Sequence, residues 1–346
     1  MAPTTKLISA LSILLGTTLT ITSNHWATAW AGLEINTLSI IPMISKSHHP
    51  RAIEAATKYF LVQATASTLV LFSSTVNAQH TGQWDITQLT YPPACVLLTI
   101  AIAIKLGLTP FHFWFPEVLQ GSSLTTAMLL STAMKLPPTT LLLTSSHSLN
   151  PTLLTTMSIM SITLGGWMGL NQTQTRKIMA FSSISHLGWM MVTITYNPKL
   201  TLLAFFTYTL MTSSVFLTMN TTNTLKLSTL MIAWTKAPML STTLMLTLLS
   251  LSGLPPLTGF LPKWLIMQEL IKQETTTTAT TISMLSLLGL FFYLRLAYCS
   301  TITLPPNPSS KTKQWSTKSS TNPLIPTLIS LSISLLPLSP MILTIV

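Results

Sequence analysis

Acidic side chains are the scarcest feature of this 346-residue chain. It has six Asp and Glu residues against seventeen Lys and Arg, and its single aspartate, Asp85, falls in a loop. So few carboxylates leave thin provision for a sodium site. Cysteine is limited to Cys95 and Cys299, both in or at the end of apolar runs. That usage excludes a disulfide framework, a cysteine metal cluster and an iron-sulfur centre. A bis-histidine haem needs paired histidines on facing helices, and only His112 and His186 lie in or beside apolar segments. There is no GxGxxG fingerprint and no phosphate loop, so no nucleotide site is read. Any energy source for this chain must be an ion gradient or a partner subunit.

What the chain does have is apolar length. It is 48% hydrophobic and only 7% charged, and its ionisable groups are repeatedly separated by close to twenty residues, the signature of a bilayer-spanning protein. Long stretches of Leu, Met, Ala, Ser and Thr, without short alternating strands, predict helices rather than a barrel. The fold class read from the sequence is therefore all-α and polytopic, with about eleven spans. The first six lie near 7–23, 26–44, 59–76, 94–119, 124–144 and 153–170. The other five lie near 178–196, 200–219, 239–271, 279–298 and 324–346, and the fourth and ninth are long and interrupted. The Ser and Thr content suits hydrogen bonding between packed helices.

No removable targeting segment is evident, because the first span begins almost at once and no arginine precedes Arg51. This predicts synthesis within the chain's own compartment. The basic excess reads as topology rather than as a nucleic-acid footprint. With eleven spans, one side receives Lys6, Lys46, Arg51, Lys58, Arg176, Lys177, Lys226, Lys236, Arg295, Lys311, Lys313 and Lys318, and the other only Lys199 and Lys272. The positive-inside rule then puts the N-terminus on the cytoplasmic or equivalent organellar side.

The two interrupted spans also align with each other. GLTPFHFWFPEVL from Gly107 and GLPPLTGFLPKWL from Gly253 share five identities, with Glu117 opposite Lys263. They lie five spans apart, an odd number, so they run in opposite directions, as inverted repeats do in ion-coupled transporters. One antiporter-like domain over 1–346 is expected, with repeats at about 1–145 and 150–298 and a last helix at about 324–346. Pro110, Pro255 and Pro256 withhold donors from the carbonyls of Leu106, Leu251 and Ser252, and Pro137 and Pro138 do the same to Ala133 and Met134. Carbonyls freed in this way predict hydrated cavities at the breaks and a kink at Lys135.

Glu34, Lys105, Lys135 and Lys263 lie within or beside these apolar segments. Each costs roughly 2.5 to 3.5 kcal/mol at the centre of a span, which points to a role in moving charge. Burial disfavours the charged form of either residue type and an opposite charge favours it, so a lysine that gains or loses a carboxylate partner is a proton switch. Lys105 and Lys263 stand near the breaks, where an ammonium can meet free carbonyls. His112 and His186 are candidate relay groups because histidine titrates near neutrality. Glu117 is placed either in the relay or in a local pair. The structural reading of each lysine is snorkelling or a static pair that fixes packing.

Six stretches carry a resemblance: GLEINTLSIIPMI, ATKYFLVQATAS, KLGLTPFHFWFPEVLQG, KLPP, TRKIMAFSSISHLGWM and LSGLPPLTGFLPKWLI. Over essentially its whole length the chain resembles the mitochondrial NADH-ubiquinone oxidoreductase chain 2 family. These are antiporter-like subunits of the membrane arm of respiratory complex I, similar to subunits of multisubunit sodium/proton antiporters. The resemblance implies proton translocation, with Glu34 as the membrane glutamate and Lys105 as the lysine of the first broken helix. It makes Lys135 the central lysine and Lys263 the lysine of the second broken helix, while His112 and His186 match family positions of less defined role. It also implies that the chain carries no redox cofactor, with NADH, FMN, iron-sulfur clusters and ubiquinone on partner subunits. Expected partners are other membrane-arm subunits, including neighbouring antiporter-like chains, and phospholipid such as cardiolipin, but not nucleic acid. The implied location is the mitochondrial inner membrane with the N-terminus on the matrix side. Two other function classes remain: an autonomous cation/proton antiporter, and a structural scaffold of the membrane arm.

Overall fold

The computed structural model describes residues 3–47, 49–301 and 323–339. Lys311, Lys313, Lys318, His48 and the end of the expected last span lie outside the described residues, as does the side chain of Lys236. Among the described residues every regular element is a helix: α1 Pro3–Thr22, α2 Trp26–Ile44, α3 Pro50–Thr81, α4 Pro92–Leu106, α5 Trp114–Gly121, α6 Leu124–Ser131, α7 Leu136–Thr144 and α8 Pro151–Gly169. They continue as α9 Thr175–Thr193, α10 Pro198–Thr222, α11 Leu227–Lys236, α12 Pro238–Ser252, α13 Phe260–Lys272, α14 Thr276–Thr301 and α15 Leu324–Ser334. By length and composition, four helices among the described residues are long and apolar enough to cross a membrane: Thr4–Thr22, Pro50–Thr81, Pro198–Thr222 and Thr276–Thr301. The interrupted fourth and ninth runs resolve into α4 with α5 and α12 with α13, and the fifth is split into α6 and α7. Helix α11 had no counterpart among the expected spans.

The chain forms two compact units, one of Met1–Ser161 with Ile194–Pro198 and the other of Ile162–Thr193 with Lys199–Val346. In the first, α2 packs against α1 and α3, and α3 also packs against α4 and α5. Helices α1 and α2 meet at Gly16 and Gly32. A Cβ on Gly32 would lie 2.6 Å from the Thr20 methyl and 2.9 Å from the Gly16 carbonyl. With its side-chain amide turned so that oxygen and nitrogen exchange places, Asn36 donates to the Ile13 carbonyl at 2.9 Å across the same contact. This close approach fixes the face of α2 that carries Glu34. In the second unit, α9 packs on α13 and α14, and α12 packs on α14 and α15.

The hydroxyls correct one expectation. Most Ser and Thr side chains bond within their own helix, as Thr17 does to the Leu14 carbonyl (2.9 Å) and Ser73 to the Val70 carbonyl (2.8 Å). The nearest free acceptor for a short hydroxyl is its own i−3 or i−4 carbonyl, and that proximity wins over cross-helix bonding. Ser67 and Thr258 are exceptions, bonding to Glu34 and to the Ser332 carbonyl.

The two breaks share one local geometry. Gly107 (φ 74°) caps α4 and Gly253 (φ 80°) caps α12, both in the left-handed region that glycine enters without a steric cost. In each case the helix resumes seven residues after the glycine, at Trp114 and at Phe260. The sequence alignment therefore corresponds to a structural one at this point.

Candidate functional site

The charged residues fall into two clusters, one in each unit. In the first, Lys105 lies in the last turn of α4 and is 6% exposed. Its Nζ has no hydrogen-bond partner among the described residues. Lys135 is 3% exposed and occupies the short 3₁₀ turn Ala133–Lys135 between α6 and α7. The predicted kink is this turn, held by the Lys135 amide donating to the Thr132 carbonyl at 3.2 Å. The Lys135 ammonium sits 4.7 Å from the centroid of the Phe115 ring, an arrangement worth about 0.5 to 2 kcal/mol.

Lys105 and Lys135 wall one cavity with Thr37, Tyr59, Gln63 and Asn36, and it offers about 20 Å³ to water-sized occupants. That is room for a single water, which needs about 10 to 15 Å³ by the same measure. Glu34, half-buried on α2, is not among the residues walling the cavity but bonds to Thr37, which is. Ser67 on α3 donates to Glu34 Oε1, and Thr37 donates to Oε2 at 3.0 Å. Glu34 is the acidic group whose field acts on Lys105, although the two form no ion pair.

The end of α4 differs from the prediction for the ammonium, because side chains other than Lys105 reach carbonyls of its last turn. The Trp114 indole donates to the Ile104 carbonyl (3.1 Å) and the Gln63 amide to the Lys105 carbonyl (3.3 Å). The Lys105 ammonium makes no hydrogen bond to the break among the described residues. His112 is buried in the break with its ring 4.2 Å from that of Phe113, and is not among the residues walling the cavity. Glu117 takes the local alternative: Lys58 holds both Glu117 and Glu54 at 2.6 Å, with all three partly exposed.

In the second cluster the prediction for the ammonium holds. Lys263 Nζ donates to the Ser252 carbonyl at 2.8 Å, closing the end of α12 across the break. Its Nζ also lies 5.8 Å from the Trp189 ring centroid. Two cavities meet here, each with about 20 Å³ for water-sized occupants, and Lys263, His186 and Trp189 wall both. Tyr293 closes one and Tyr208 the other. His186, 5.5 Å from the Tyr208 ring, is therefore beside Lys263, which spacing alone did not reveal.

Gly253 is tied to this geometry. A Cβ there would lie 2.9 Å from Lys263 Cδ and 3.0 Å from Nζ, whereas at Gly107 the nearest atom is Phe115 Cβ at 3.3 Å. Gly253→Ala is expected to combine a left-handed backbone penalty of about 1 to 2 kcal/mol with displacement of the lysine. The prediction is a lower temperature of half-inactivation and weaker proton translocation, both more pronounced than for Gly107→Ala.

Sequence reading missed Ser67, Thr37, Gln63, Tyr208 and Tyr293. Gln63 was detectable as a lone amide in an apolar run. The hydroxyls were hidden among many others of their kind.

The NADH:quinone oxidoreductase/Mrp antiporter transmembrane family model matches residues 23–289, and the NADH dehydrogenase subunit 2 C-terminus model matches 290–343. NADH-ubiquinone oxidoreductase chain 2 of Struthio camelus is 73% identical over 99% of both chains. That of Gallus gallus is 69% identical, again over 99% of both. Among solved structures, a chain of respiratory complex I from Thermus thermophilus superimposes with a TM-score of 0.82 at 26% identity, covering 95% of this chain and 78% of that one. A chain of the Mrp complex from a Dietzia species has a TM-score of 0.81 at 17% identity over 86% of this chain and 61% of that one, a likeness of fold.

Proposed function

The chain belongs to the NADH:quinone oxidoreductase/Mrp antiporter transmembrane family, and from that premise we propose that it is a proton-translocating core subunit of the membrane arm of respiratory complex I. It works as part of NADH:ubiquinone oxidoreductase and performs no electron transfer itself. NADH, FMN, iron-sulfur clusters and ubiquinone belong to partner subunits, whose redox energy drives the charge movements here.

The observation that carries this reading is the cavity walled jointly by Lys105 and Lys135, with Glu34 hydrogen-bonded to Thr37 of the same wall. A water in that space is positioned to pass a proton between the lysines. Glu34 and Lys105 act as the switching pair: a change of charge on the carboxylate alters the cost of keeping the ammonium charged in a buried site. Lys135 relays. Lys263, with His186 beside it, exchanges protons with a neighbouring antiporter-like subunit or with the exit. His112 stands off the cavity.

In this reading the helices supply about eleven spans, and the two glycine-capped breaks belong to inverted repeats. The protein resides in the mitochondrial inner membrane with its N-terminus on the matrix side. Its partners are the other membrane-arm subunits, with cardiolipin beside the basic loops. An autonomous sodium/proton exchanger fits less well, because Asp85 is exposed and no carboxylate is among the residues walling the lysine cavities.

Glu34→Gln keeps size and removes the charge. In the assembled complex reconstituted into liposomes, it is expected to lower NADH-driven proton uptake about threefold, a barrier change of under about 1 kcal/mol. Parent-level pumping in that variant removes Glu34 from the relay.

A further inference from the structure

The Glu34 carboxylate is held by two hydroxyls, and each hydroxyl faces a second acceptor. Ser67 Oγ is within bonding distance of Glu34 Oε1 and also of the Ala64 carbonyl at 2.9 Å. Thr37 Oγ1 reaches Glu34 Oε2 at 3.0 Å and the Glu34 backbone carbonyl at 2.9 Å. A hydroxyl has one proton to donate and two lone pairs with which to accept. Neither side chain can therefore satisfy both of its acceptors at once.

We propose that Ser67 and Thr37 form a cradle that serves both charge states of Glu34, each hydroxyl turning its single proton between the carboxylate and a backbone carbonyl. With Glu34 ionised, both hydroxyls donate to it, one to each oxygen. With Glu34 protonated, its new O–H donates to one hydroxyl, which turns its own proton onto the backbone carbonyl. The other hydroxyl goes on donating to the unprotonated oxygen. Every donor has an acceptor in either state, the proton count balances, and no heavy atom has to move.

This matters because a half-buried carboxylate fixed by backbone amides or by an arginine would be locked in its charged form. A hydroxyl pair lets the charge change at low reorganisation cost. Thr37 also walls the cavity shared by Lys105 and Lys135, so one rim of the cradle is continuous with that space. The groups that bear on Glu34 are few. Helix α4 brings Lys105 and α3 brings Tyr59, both of which interact with it electrostatically, while the only titratable residue of α1 is Lys6, in its first turn. The two hydroxyls are positioning residues, and the inference rests on the reading of Glu34 as a group that changes charge.

The test compares Ser67→Ala and Thr37→Val with Thr37→Ser in the assembled complex. Proton uptake is measured against pH, and infrared difference spectra follow the C=O stretch of protonated Glu34, assigned by its loss in Glu34→Gln. Removing one donor to the carboxylate is expected to move the acid limb of the pH profile up by about one pH unit, because the charged form loses a bond that favours it. The C=O band should move to higher frequency, and Thr37→Ser should restore both. An unshifted limb and band in Thr37→Val, or an equal shift in Thr37→Ser, overturns the cradle. If Ser67→Ala fails to assemble, the isosteric Thr37→Val against Thr37→Ser decides. If Glu34→Gln retains full pumping, the relay reading fails, while the infrared band still decides the cradle.

Discussion

Lys135→Met in the assembled complex is expected to cut NADH-driven proton uptake to about a tenth or less, a loss of about 1.4 kcal/mol or more in the rate-limiting step, while leaving assembly intact. Methionine matches the length of the lysine stem and fills the same buried space, so packing changes little. The 3₁₀ turn that carries the residue is set by main-chain bonds, from the Lys135 amide to Thr132 and from the Leu136 amide to Ala133, and by the prolines that follow. None of these depends on the ammonium. What disappears is one of the two ammonium groups walling the cavity, and with it the group to which a cavity water would hand its proton. Proton uptake in liposomes, measured beside electron transfer from NADH to quinone, checks the prediction. A scaffold protein would keep its full proton yield.

Lys263→Met is expected to impair both coupling and stability. Here the ammonium is also a structural donor, holding the Ser252 carbonyl at the glycine-capped end of α12. Its loss leaves a partly buried carbonyl without a partner, at a cost of about 1 to 3 kcal/mol, in addition to a fall in proton uptake of about tenfold. The temperature of half-inactivation should drop in this variant. Lys263→Gln separates the two effects, since its amide can donate to the carbonyl but cannot carry a proton onward. Recovered thermal stability without recovered pumping is the expected outcome. Full pumping by the glutamine variant would reduce Lys263 to a helix cap.

The contrast between the two lysines beside the breaks explains what could be read from the sequence. Proline and glycine placement located the breaks, because a missing N–H and a left-handed backbone are properties of single residues. The alignment of Gly107 with Gly253 likewise matched their shared cap geometry. Which side-chain donor meets the last-turn carbonyls was not legible. At α12 it is Lys263, eleven residues on, but at α4 it is Trp114 and Gln63, and the latter lies forty-two residues upstream on another helix. The hydroxyls around Glu34 were equally invisible. Ser67 and Thr37 look like any other Ser or Thr in a chain whose hydroxyls mostly bond their own helices, and only the packing of α2 on α3 distinguishes them. Helix α11 was missed for a related reason: it is a ten-residue element, too short to register in a search for spans.

A structure of the assembled complex at a resolution that locates water is the most direct test of the account. It should show an ordered water between Lys105 and Lys135, within hydrogen-bond reach of Gln63 or Thr37, and water against Lys263 and His186. A dry or lipid-filled space at either lysine cluster, with the ammonium groups turned toward the headgroups, would contradict it.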